Sequence, residues 1–91
     1  MSYSFSIRAA SLAAAALTIS DKLNEVVETQ PVHAVDRDQA EAAAAAFVSL
    51  VGEPPEGKEL AVTVSGWVSK SEDNLTGAAV SVSASHIDAV P

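Results

Sequence analysis

Tyr3, Phe5, Ile7 and Ala9 alternate with Ser2, Ser4, Ser6 and Arg8, so the chain opens on a period of two that predicts a half-buried strand over 2–9. From Leu12 the period lengthens to that of a helix. Leu12, Ala16, Ile19, Leu23, Val26 and Val27 share one stripe, while Asp21, Asn24, Glu25 and Glu28 lie opposite. Ser11 stands where an N-cap belongs, and Pro31 closes the helix near Gln30. Leu17 falls on the polar side as a single exposed leucine.

A linker, PVHAV, leads to a second helix. Asp36 followed three residues later by Gln39 reads as a capping box, with Val35 and Ala40 as its hydrophobic staple, and Gly52 suits a left-handed C-cap with prolines just beyond. Phe47, Val48, Leu50 and Val51 gather with Ala40, Ala43 and Ala44 on the expected core face. The back carries Ala42, Ala45, Ala46 and Ser49 and almost no charge. Two explanations of that back stand side by side: alanine is the best helix former, and a smooth face allows close contact with another subunit.

After the loop GEPPEGK the period of two returns. Leu60, Val62, Val64 and Val68 alternate with Ala61, Thr63, Ser65 and Ser69 in a second strand, and Lys70 to Asn74 turns the chain. A third strand runs from about Gly77 to Ile87, with Val80, Val82 and Ala84 inward and Ala79, Ser81, Ser83 and Ser85 outward. The order β-α-α-β-β predicts a single α+β domain over 1–91, a two-layer fold with two antiparallel helices on one face of a three-stranded, mainly antiparallel sheet.

The opposite sheet face is then a field of small hydroxyls: Ser4, Ser6, Thr63, Ser65, Ser81, Ser83 and Ser85. Strict alternation places Trp67, the only tryptophan, among them. A bulge at Gly66 would shift the phase and turn the indole inward instead.

Composition narrows the function. Of 91 residues 48% are hydrophobic, but many are alanine and only 4% are aromatic, so the core is thin and the expected supplement is a homo-oligomer. Five Lys and Arg among twelve acids, net charge −7, cannot make the basic patch that direct nucleic-acid binding needs. The acids form no run, which argues against mimicry of a polyanion. Arg8 followed by AASLAAAAL has the outline of a leader, yet the same residues continue a helical stripe and are read as mature structure. No apolar run is long enough for a membrane span, and there is no cysteine to ligate a metal or form a disulfide.

Candidate chemistry is sparse. His33 reads as a solvated linker residue and His86 as a satisfied or partly exposed strand histidine, neither with a partner at ligand spacing. Glu25, Glu28, Asp36, Asp38 and Glu41 should gather near the interhelix end, where the helix dipole accounts for them better than a metal does. No nucleophile elbow surrounds a serine, no glycine loop cradles a phosphate, and no cofactor is expected. Asn74-Leu75-Thr76 matches a glycosylation triplet without a secretion signal to support it.

The segments SYSFSIRAA, QPVHAVDRDQA and GAAVSVSAS resemble small uncharacterised proteins encoded by tailed bacteriophages and prophages. The resemblance assigns no activity to any residue. It implies a setting: a phage accessory protein made in the bacterial host cytoplasm, acting on a host or phage protein or within an assembly. Together with the composition, this leads to the expectation of a non-enzymatic protein that self-associates and binds a partner through Trp67, Thr63, Ser65, Ser81, Ser83 and Ser85, or through Ala42, Ala45 and Ala46. A small-ligand sequestering protein and a virion component are the alternatives.

Overall fold

The computed structural model describes residues 2–89. Strand β1 (Ser2–Ala9) leads to helix α1 (Leu12–Thr29), a short 3₁₀ segment (Pro31–Val35), helix α2 (Arg37–Val51), and the long strands β2 (Lys58–Ser71) and β3 (Asn74–Asp88). The strands form one antiparallel sheet in the order β1-β2-β3, and the chain is the α+β, β-α-α-β-β fold that its periodicities predict.

Each helix start is held differently. The Ser11 hydroxyl accepts the Ala14 N–H at 3.1 Å, as an N-cap should, and Glu53 reaches from the loop after α2 to accept the Leu12 N–H at 2.7 Å. At α2 the expected capping box is absent. Asp36 occupies the N-cap position, its backbone oxygen accepting the Ala40 N–H, but its side chain makes no cap bond and Val35 is exposed rather than stapled. The 3₁₀ segment turns the Asp36 carboxylate inward, towards His33.

The core lies between the helices and the inner face of the sheet. Leu60, Val62, Val64 and Val68 of the central strand are buried together with Tyr3, Ile7 and Ala9 of β1. Ala15, Ile19 and Leu23 supply the α1 stripe, one residue ahead of the expected position at the first turn, so Ala16 is exposed. From α2 only Ala40, Ala44 and Val48 are buried. Phe47 and Leu50, expected in the core, are 45% and 82% exposed. The reason is geometric: three strands span only about 10 Å at ordinary strand spacing, so a helix over the border of such a sheet can cover just a narrow stripe.

The chain reversals follow from backbone chemistry. Gly52 ends α2 at φ 84°, ψ 177°, an extended glycine conformation rather than the left-handed cap, with its N–H donated to the Val48 oxygen. The β2–β3 hairpin turns on Glu72 and Asp73 at φ 50° and 69°. Both central residues of a two-residue turn are thus at positive φ, as a twisted hairpin requires, without a glycine.

Candidate functional site: the outer face of the sheet

Gly66 decides where Trp67 points. Tyr3 pairs with Gly66 across β1 and β2, and its ring lies so close that a Cβ at position 66 would sit 2.3 Å from Cε1 and 2.6 Å from Oη. Gly66 is therefore a normal member of the ladder whose missing side chain makes room for a buried tyrosine. There is no bulge there; the sole register shift between β2 and β3 falls at Ser69/Lys70. Alternation holds, Val68 is buried, and Trp67 stands on the outer face, 48% exposed.

The indole rests on backbone. A Cβ on Gly77 would meet its Cζ3 and Cη2 at 3.0 and 3.1 Å, so the six-membered ring reaches over β3 at a place kept free by a second glycine. Its neighbours in the cross-strand rung are Ser2 and Ala79, both small. The next rungs are Ser4–Ser65–Ser81 and Ser6–Thr63–Ser83, and Ser85 extends the row on β3. Ser6 and Thr63 share a hydrogen bond at 2.8 Å, and Thr76 donates one to Ser69 at 2.9 Å. Ser2, Ser4, Ser65, Trp67, Ala79 and Ser81 border an open depression of about 470 Å³. An aromatic plate beside uncommitted hydroxyls suits contact with a partner that offers both apolar surface and hydrogen-bonding groups.

The structure brings Trp67, Thr63, Ser65, Ser81, Ser83 and Ser85 together on this face. It does not bring Ala42, Ala45 and Ala46 to them. Those alanines are exposed on α2, in the other layer, where Ala45 joins Ala16, Leu17, Ile19, Glu41 and Val48 around a shallow groove of about 300 Å³ between the helices. The two sets are separate surfaces.

The histidines divide. His86 Nε2 donates to the Gly52 oxygen at 2.9 Å and ties the end of α2 to β3, a satisfied strand histidine. His33 is not a solvated linker residue: it is 1% exposed, its Nδ1 3.5 Å from Asp36 Oδ1, its ring edge-on to Tyr3 with centroids 4.7 Å apart. The Tyr3 hydroxyl, both His33 nitrogens and both Asp36 oxygens are buried without a hydrogen-bond partner. Burial, with the Asp36 carboxylate nearby, raises the Tyr3 hydroxyl above its ordinary range. This cluster is sealed beneath the surface, out of reach of a substrate. The signal for it in the sequence is the His33–Asp36 spacing, one helical turn.

The acids expected to gather near the interhelix end do not converge on one point. Asp36 is buried, Asp38 and Glu41 pair with Arg37, and Glu25 pairs with Lys22. Arg37 also donates to Asn24 and Ser20, which locks α2 against α1. Among the described residues no three His, Asp or Glu side chains converge as a metal site requires, and no helix is long and apolar enough to cross a membrane.

No family model, no curated protein and no solved structure matches this chain.

Proposed function

We propose that this chain is a non-enzymatic accessory protein that self-associates and recognises another protein through the outer sheet face centred on Trp67. The observation that carries the reading is the half-exposed Trp67, its ring reaching over Gly77 among small residues. A tryptophan so placed buries a large area on contact at little cost in side-chain entropy, which is the profile of an interface anchor. Surrounding hydroxyls of Ser65, Ser81 and Ser83 supply adaptable hydrogen bonds.

Charge supports a protein partner over a nucleic acid. Arg8, Lys22, Arg37 and Lys58 are each within ion-pair distance of an acid, which leaves the net charge of −7 to dominate the surface. The phage setting and the bacterial cytoplasm rest on the sequence resemblance alone.

The test is differential capture. The tagged parent protein and Trp67→Ala are used side by side on lysate of infected bacteria, with released small molecules analysed as well. The reading expects a protein retained by the parent in stoichiometric amount and lost from the folded variant. Equal retention by both, or release of a metabolite with no protein retained, overturns it.

A further inference from the structure

We infer that the free edge of β3, together with Phe47 and Leu50 of α2, is the seam of a twofold homodimer in which two sheets join into one of six strands. This inference is independent of the role proposed for Trp67.

Among the described residues β3 pairs only with β2, so one side of a 15-residue strand is left with unpaired backbone groups. Edge strands are ordinarily protected by shortness, lysine, proline, inward charge or a bulge. The other edge, β1, is 8 residues long and carries Arg8. By contrast, β3 has no Lys, Arg, Asp, Glu or Pro from Asn74 to Ile87, and the register shift opposite it is confined to the turn end. Along its length before Asp88 the edge carries none of these sequence-borne defences.

The helix layer continues the seam. Around α2, at 100° per residue, the flank facing α1 is marked by Glu41 and Ala45, which line the interhelix groove. Phe47, Ala43 and Leu50 lie on the opposite flank of α2, the helix that packs mainly on β3. There Phe47 and Leu50 are exposed, and Val80, Val82 and Ala84 beneath remain only half-buried.

A second copy is the occupant that fits. The centre of β3 reads AAVSVSA, nearly the same in both directions. Antiparallel pairing about a twofold axis at Ser81 sets Val80 against Val82, Ala78 against Ala84 and Ala79 against Ser83, so like sizes meet on each face and Asp88 meets Asn74 rather than another acid. Two chains of charge −7 repel over most of their surfaces; this uncharged stretch is where they can approach. Closure by a twofold leaves only the β1 edges exposed and carries both Trp67 side chains on the same face.

Sedimentation velocity at about micromolar concentration, together with amide exchange as a function of concentration, tests the seam. The expected result is a dimer, with β3 amides gaining protection as it forms. Phe47→Glu with Leu50→Glu, both at exposed positions, and separately Ser81→Lys, which sets two like charges at the axis, should each weaken it by about tenfold or more. Trp67→Ala and Ala45→Glu, on the other two surfaces, should leave it intact. A monomer throughout, a species growing beyond the dimer, or a dimer weakened by Trp67→Ala or Ala45→Glu but not by the seam variants overturns the inference.

Discussion

The ring of Tyr3 occupies the space that a side chain at Gly66 would need, with a Cβ there only 2.3 Å from Cε1. This contact fixes the phase of β2, and the phase puts Trp67 outside. Gly66→Ala must displace the tyrosine or the strand, and the expected loss is about 1–3 kcal/mol of folding stability by overpacking. In the background of Tyr3→Ala the same substitution should be nearly neutral. Denaturant midpoints for the cycle check this, and additive losses would show that the two residues are not coupled.

The buried 3₁₀ segment gives a second expectation. His33→Ala removes a fully buried ring packed edge-on to Tyr3, so its cost should be about 2–4 kcal/mol. A solvated linker histidine would change stability by less than about 0.5 kcal/mol. Urea unfolding of the variant distinguishes the two.

Tyr3 also makes alkaline stability predictable. Its hydroxyl is raised by burial and by Asp36, so the folded value lies above the unfolded one. The sign follows: its stabilising contribution is whole below the ordinary value of 10.0 and is lost as pH rises through the raised value. Tyr3→Phe should leave neutral-pH stability within about 1 kcal/mol, because the hydroxyl has no partner to lose, and should lessen the alkaline decline. Identical melting profiles of parent and variant between neutral and alkaline pH would contradict this.

Much of this arrangement is legible in the sequence because a sheet face has a strict period. β1, the inner positions of β2 and the hydroxyl rungs all follow from alternation. The linker is not legible in the same way. PVHAV has no period, and the capping pattern at Asp36 and Gln39 competes with an inward turn that only the tertiary packing of Tyr3 against His33 settles. Hydrophobicity alone puts Phe47 and Leu50 in the core, but burial on α2 is limited by the width of a three-stranded sheet, which no single helix records. The separation of Ala42, Ala45 and Ala46 from the Trp67 face likewise depends on the layer order.

The β2–β3 hairpin carries backbone strain that is open to relief. Glu72 and Asp73 both adopt positive φ, which costs a residue with a side chain more than it costs asparagine or glycine. Glu72→Asn with Asp73→Gly should raise stability by about 1 kcal/mol. Thermal melting that is unchanged or lower would argue against this turn geometry.

The outward position of Trp67 is the claim on which the proposed contact surface stands, and the chain has one tryptophan with which to test it. Acrylamide quenching of its fluorescence, measured in protein dilute enough to be dissociated, reads the exposure of that indole alone. With Trp67 48% exposed, quenching in the native protein should approach roughly half of its value in denaturant. Native quenching near zero with strongly blue-shifted emission would mean that the indole is in the core and that the outer face has no anchor.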